Sequence, residues 1–255
     1  MSKIKKAKDT LLQSYHETTD KIEIGIDEVG RGPMFGRVYI AAVILPQNSS
    51  NFDYTCLKDS KKFTSEKKIK EVSEYIKQNC LKYSINWQDE KCIDNDNIRI
   101  ATFKAMHCGL KELINKFNNY LILVDGKDFI PYSIIDENSM LKNIDYKCIE
   151  GGDNKYCSIA AASILAKVAR DEYIKDLCNN NPKLIEYYKI DKNKGYGTKD
   201  HLDGINKYGL SCWHRKTFGT NKNQFENNEF PEIQFKEMEA KDILEKEELK
   251  ELPIT

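Results

Sequence analysis

The segment Ile22-Glu23-Ile24-Gly25-Ile26-Asp27-Glu28-Val29-Gly30-Arg31-Gly32 constrains this chain more than any other. Ile22, Ile24 and Ile26 alternate with Glu23, Gly25 and Asp27, the period of a β-strand with one buried face. The apolar face runs out as the acids arrive, which puts Asp27 and Glu28 at or just past the strand's end. Gly30 and Gly32 then permit a tight turn whose backbone N–H groups can face an anion, with Arg31 between them. Two carboxylates beside a phosphate-sized turn make chemical sense if a metal ion joins acid to phosphate. Alone, the segment also fits a solvated strand end followed by a glycine turn.

The rest of the chain supplies partners for that strand. Val38 to Leu45 is a short, mostly apolar run ending at Pro46, and the 30–36 turn makes an antiparallel pair with the first strand plausible. Lys82 to Trp87 alternates as a strand. Tyr120-Leu121-Ile122-Leu123-Val124-Asp125-Gly126 is a buried-type strand that ends in an acid. Ile144 to Ile149 is another, leading into Glu150-Gly151-Gly152-Asp153. Helices are expected from Ser65, from a cap at Asp94 or Asp96 through Phe117, from Ser158 to Leu177, and over 183–189 and 198–208. Residues 127–143 read as loop with one short element. Strands and helices intermix, with an early antiparallel pair and later crossovers. The fold class is therefore α/β, a mixed sheet flanked by helices.

Three separate segments thus place carboxylates after β-type runs: Asp27 with Glu28, Asp125, and Asp153. Open α/β sheets bind ligands beyond the carboxyl ends of parallel strands. Singly, each acid also suits a turn or a helix cap. Gathered at one end of a sheet, they would repel one another unless a divalent cation offset the charge. The helix after Asp153 is expected to hold that carboxylate ionised through its N-terminal dipole. Mg²⁺ favours a few carboxylates plus water and substrate phosphate, and two such ions roughly 4 Å apart could clamp an in-line phosphoryl displacement.

The 255 residues suffice for one large domain with a real core. Formal net charge is zero, yet the last 35 residues hold 10 of the 40 acids and 5 of the 40 bases, leaving the body mildly basic. The expected organisation is a basic N-terminal arm over 1–20, a catalytic body over 21–220 and an acidic helical tail over 221–255. That tail, with Phe235, Met238, Leu244, Leu249 and Leu252 at roughly helical spacing, is a docking helix or a partner-binding segment. The eight cysteines are spread evenly with no C-x-x-C pair, which argues against a zinc site and against a disulfide framework. No apolar run reaches membrane-spanning length and none resembles a signal peptide. A soluble, intracellular (cytoplasmic) protein with no membrane partner is expected, as a monomer. His201 and His214 read as structural or substrate-edge residues, and Trp87 and Trp213 as core aromatics.

The motifs taken together resemble type 2 ribonuclease H (ribonuclease HII). They are Gly25-Ile26-Asp27-Glu28-Val29-Gly30-Arg31-Gly32-Pro33, Asp59-Ser60-Lys61-Lys62, Val124-Asp125-Gly126, Gly152-Asp153-Asn154-Lys155, Ser158 through Asp171, Gly195-Tyr196-Gly197-Thr198 with His201, and His214-Arg215-Lys216-Thr217-Phe218. They stand in family order across most of residues 22–218. The resemblance implies a ribonuclease H-like five-stranded mixed sheet, cleavage of RNA in RNA–DNA hybrids, and incision 5′ to single ribonucleotides in duplex DNA. It matches Asp27, Glu28, Asp125 and Asp153 to the catalytic, metal-binding acids of a two-ion mechanism using Mg²⁺ or Mn²⁺. It matches Gly30, Arg31 and Gly32 to the turn that reads the ribose 2′-OH, Lys61 to a phosphate contact, and Tyr196 to the ring that packs on the neighbouring sugar. Gly151 stands where the family often has Lys, and Phe35-Gly36-Arg37 replaces a small-Gly-Pro run. Asp153 as the fourth acid, and a short leader, separate the chain from type 3 enzymes. A catalytically silent hybrid-binding subunit is the alternative. A nucleotide-binding protein built on Gly30-x-Gly32 fails, because no G-x-G-x-x-G follows the strand.

Overall fold

A computed structural model describes residues 11–15, 21–47, 49–136 and 138–230. Its first strand, β1 (Ile22–Val29), is followed by β2 (Val38–Ile44), helix α1 (Glu66–Asn79) and β3 (Lys82–Gln88). Helices α2 (Glu90–Asp96) and α3 (Ile98–Leu113) lead to β4 (Tyr120–Asp125). A small hairpin of β5 (Ser133–Ile135) and β6 (Leu141–Asn143) precedes β7 (Asp145–Ile149). The long α4 (Cys157–Asn180) is followed by α5 (Lys183–Tyr188), α6 (Ile190–Asn193) and α7 (Lys199–Tyr208).

The sheet is mixed and five-stranded, in the order β3-β2-β1-β4-β7. β1 pairs antiparallel with β2, and β2 with β3, while β1–β4 and β4–β7 are parallel. The period-2 pattern sorts the side chains as expected. Ile24, Ile26, Ile40, Ala42, Ile122 and Val124 join Phe103, Met106 and Leu110 of α3 on one face. Ala41 and Val43 join α1 and the small residues Ala161, Ala162 and Ala166 of α4 on the other. Gly25 explains how close α4 lies: a Cβ there would fall 2.2 Å from the carbonyl carbon of Ser158. Only glycine lets the start of α4 sit directly on β1.

Local chemistry sets several ends differently from the sequence expectation. Asn97, neither Asp94 nor Asp96, caps α3: its side chain accepts the N–H groups of Arg99 and Ile100 from a backbone with φ of 71°. Asp94 instead accepts the backbone N–H groups of Lys216 and Thr217, and Asp96 pairs with Lys104. The residues before it form the separate helix α2, capped by Asp89. Trp213 is buried as expected, but Trp87 is 42% exposed on the edge strand, with the Arg37 guanidinium 3.5 Å from its ring centre.

Both expected appendages contribute to the body. In the arm, Leu12 bridges to Tyr156, and the Tyr15 N–H donates to the buried Glu23 carboxylate at 2.8 Å. In the tail, Asn221 is buried, Phe230 packs with Tyr188 and Trp213, and Leu210 exchanges backbone hydrogen bonds with Phe225 and Asn227. The expected helical positions Phe235, Met238, Leu244, Leu249 and Leu252 lie outside the described residues.

Candidate active site

The register of the two parallel strands brings the first acids together. Ile26 pairs with Val124, so Asp27 and Asp125 follow side by side just past the last parallel pair, with β1 running on to Val29. Both share the α4 face, because Ile26 and Val124 face α3. Glu28 is the next residue along and points to the opposite face. Asp125 Oδ1 accepts the Gly152 N–H at 2.6 Å, which draws the Gly152–Asn154 turn, with Asp153, to the same end of the sheet. Asp27 and Asp153 are each only 4% exposed.

The electrostatics follow from that crowding. Burial pushes Asp27 well above the usual carboxylate range, reinforced by the negative charges of Glu28 and Asp125. Burial also raises Glu28 to about 7, against the pull of Arg31. Asp153 is raised by burial first and then by Asp125 and Asp59, so the dipole of α4 does not dominate there. Asp125 is thus the charge that the other acids feel in common.

Among the described residues, no three His, Cys, Asp or Glu side chains already surround one point as a cation cage would. The carboxylates meet protein donors. Asp27 accepts its neighbour's N–H, Glu28 lies 3.3 Å from Arg31 Nη1, and Asp153 lies 3.0 Å from Asn154 Nδ2 and 3.9 Å from Lys61 Nζ. Buried, mutually repelling carboxylates of all-oxygen character nevertheless fit a hard divalent ion, which would relieve the repulsion.

The substrate-side residues gather beside the acids. Gly30 holds φ of 96°, and a Cβ there would strike the Arg170 side chain at 2.4 Å. A Cβ on Gly32 would stand 3.5 Å from the Tyr196 ring, so the turn and the half-exposed tyrosine face each other across one side chain's width. Lys61 is 82% exposed at its side chain, on a single turn capped by Asp59, whose carboxylate accepts the Lys61 N–H at 2.9 Å. Sequence reasoning overlooked the groups that tie these pieces together. Asn154 bridges Asp153 to Asp59 at 3.0 and 3.2 Å, and Ser163 Oγ meets Ser60 Oγ at 3.0 Å. Arg215, fully buried, holds the glycine turn through the Gly30 carbonyl, and the buried Arg170 binds the carbonyls of Phe35 and Arg37 at the far end of the same loop. Their signal was present in the quoted motifs, but position in a motif does not disclose which way a side chain points.

A mixed sheet in this strand order, with acids on its central parallel strands, has the architecture of the ribonuclease H-like metal-dependent nucleases. Residues 24–225 match the family model Ribonuclease HII. A Ribonuclease HII from Parabacteroides distasonis is 41% identical over 208 residues, covering 82% of this chain and 94% of that relative. The solved ribonuclease H2 from Pyrococcus horikoshii superposes with a TM-score of 0.60 at 22% identity, over 78% of this chain and 95% of that one. Bst-RNase HIII in complex with Mn²⁺ gives 0.52 at 16% identity, over 75% and 71%. These last two speak to the fold alone. The chain belongs to the ribonuclease HII family, and is accordingly a metal-dependent endoribonuclease acting on RNA–DNA hybrids. That displaces the silent binding subunit. Among the described residues, no helix is long and apolar enough to cross a membrane.

Proposed function

We propose that this enzyme incises duplex DNA 5′ to a single embedded ribonucleotide as well as cleaving longer hybrids, leaving 3′-OH and 5′-phosphate ends. Asp27, Glu28, Asp125 and Asp153 would hold two divalent ions, Mg²⁺ or Mn²⁺, which when bound activate water and offset charge at the scissile phosphate. The observation that carries the reading is the placement of Asp27 and Asp125 side by side on adjacent parallel strands, with Asp27, Glu28 and Asp153 all raised. The Mn²⁺ bound to the type 3 neighbour is consistent with it.

The remaining roles belong to the chain's own groups. Lys61 places its exposed ammonium on a phosphate beside Asp153. The Gly30-Arg31-Gly32 backbone reads the 2′-OH, the group that separates RNA from DNA and can both donate and accept. Arg31 keeps Glu28 oriented through their 3.3 Å contact. Tyr196 lays its ring against the sugar that follows. The 221–255 tail is the segment proposed to contact a protein partner.

The test is a pair of duplexes, one with a single ribonucleotide and one with a run of four or more, incubated with Mg²⁺, with Mn²⁺ and with EDTA. Cleavage of both substrates with either metal, and of neither in EDTA, is expected. Cleavage of the run alone would remove the single-ribonucleotide activity and the Tyr196 role while leaving hybrid cleavage.

A further inference from the structure

The motif His214-Arg215 lies outside the acids, yet its two side chains run to the two halves of the ribose-reading site. Arg215 is fully buried and spends its donors on backbone carbonyls. Nε donates to Gly36 at 2.8 Å, Nη1 to Arg31 and Pro33 at 3.0 and 2.7 Å, and Nη2 to Gly30 at 2.6 Å. A trans peptide sets its N–H opposite its C=O. Holding the carbonyls of Gly30 and Arg31 inward therefore turns the N–H groups of Arg31 and Gly32 outward. Both of those residues are exposed, and Gly32 faces Tyr196. Two residues beyond Gly32, the Met34 N–H reaches the carbonyl of Gly195, next to Tyr196, at 2.8 Å.

His214 reaches the tyrosine by a different route. Its Nδ1 accepts the Ser211 backbone N–H at 2.9 Å, so in the neutral ring the proton sits on Nε2. That Nε2 lies 3.0 Å from His201 Nε2, which must then accept. His201 consequently carries its proton on Nδ1 and donates it to the Tyr196 carbonyl at 2.9 Å. The network admits one tautomer for each ring. Burial lowers the proton affinity of both imidazoles, which favours the neutral form of each. Tyr196 is 52% exposed, so packing holds only part of it and the hydrogen bond from His201 to its carbonyl contributes to its placement.

We propose that His214 and Arg215 are positioning residues for ribose recognition: Arg215 presents the N–H groups of the Gly30–Gly32 turn, and His214, through His201, fixes Tyr196 opposite them. Together they set the width of the sugar slot. This rests on the reading of the turn and Tyr196 given above.

The experiment measures kcat and KM for single-ribonucleotide and four-ribonucleotide duplexes in Tyr196→Ala, His214→Gln, Arg215→Lys and the doubles with Tyr196→Ala, with the melting temperature of each. Each single variant should slow single-ribonucleotide cleavage at least tenfold. In the doubles, adding His214→Gln or Arg215→Lys to Tyr196→Ala should cost no more than about twofold further, since a slot that has lost one wall cannot be spoiled again. Fully multiplicative losses would overturn the proposal. Wild type that leaves the single ribonucleotide uncut would instead overturn the underlying reading. ¹⁵N NMR of the wild-type rings needs no variant to fold: it should find His201 protonated at Nδ1 and His214 at Nε2, and the reverse pattern would refute the histidine leg.

Discussion

At the scale of single residues, the chemistry turns on where charge is tolerated. Asp125 is the acid whose charge raises Asp27, Glu28 and Asp153 alike. Asp125→Asn should therefore abolish most cleavage while leaving the fold intact. It should also cancel most of the rise in melting temperature that millimolar Mg²⁺ gives wild type, a readout independent of turnover. An unchanged metal-induced shift in this variant would argue against Asp125 as a ligand. Gly32→Val belongs to the same scale. Its branches would occupy the gap to Tyr196, and both single-ribonucleotide and hybrid cleavage should fall more than tenfold with little change in melting temperature. Glu90 is a different kind of buried acid, on α2 and not among the four candidate acids, with the Tyr173 hydroxyl donating to it at 3.1 Å. Burial raises it from 4.5 to about 7 against Arg37 and Arg215. Between those values the folded chain keeps a proton that the unfolded chain has released. Stability from this group is full below about 4.5 and is lost as pH rises through 7. The loss is on the order of 3 kcal/mol. In EDTA, melting curves at pH 5 and pH 7.5 should show a smaller drop for Glu90→Gln than for wild type, and parallel drops would disprove the assignment.

At the scale of elements, the glycine at position 25 decides the site's geometry from behind. It lets α4 rest on β1, and the turn carrying Asp153 precedes α4, so the separation of Asp153 from Asp27 depends on that contact. Gly25→Ala should push the helix away, costing about 1–3 kcal/mol or somewhat more. Chemical denaturation would register the cost, and activity should fall further than the lost stability accounts for. A variant with wild-type stability would mean that the strand and helix adjust without loss. The strands themselves were legible in the sequence, because alternation of isoleucines with polar residues encodes burial directly. So were the antiparallel β1–β2 pair and the strand-end position of Asp125, whereas Asp27 and Glu28 lie within β1, which pairs with β2 as far as Val29. The cap of α3 was not: Asp94, Asp96 and Asn97 are all good caps by local chemistry, and the choice falls to Asn97 because Asp94 is drawn to Lys216 and Thr217 across the fold. Trp87 was misread for a similar reason, since an edge strand exposes a residue that a central one would bury. The roles of Arg170 and Arg215 were hidden too, because most of their partners are backbone carbonyls more than a hundred residues away.

At the scale of the whole molecule, the question is where the catalytic body ends. A division after residue 220 was the natural reading, since the quoted motifs stop at Phe218 and the acids then accumulate. The fold packs residues 221–230 against the body. Asn221 Nδ2 donates to the Arg215 carbonyl at 2.8 Å, bracing the backbone of the residue that holds the glycine turn. Phe230 covers Trp213 with ring centres 5.8 Å apart and also lies against Tyr188, which in turn meets the His214 ring edge-on at 4.8 Å. Removing residues 221–255 therefore strips a buried amide and a buried aromatic from the structure that supports Arg215 and the Gly30–Gly32 turn. Losses of that kind run to about 3–5 kcal/mol for a core aromatic alone. Removing residues 231–255 takes away neither contact. The two truncations, compared by urea unfolding and by single-ribonucleotide cleavage, should differ sharply. The shorter cut should retain wild-type unfolding and rates within about twofold, and the longer one should unfold at markedly lower urea and cleave poorly even where it remains folded. Equal behaviour of the two would return the boundary to residue 220 and leave the 221–230 contacts without energetic weight.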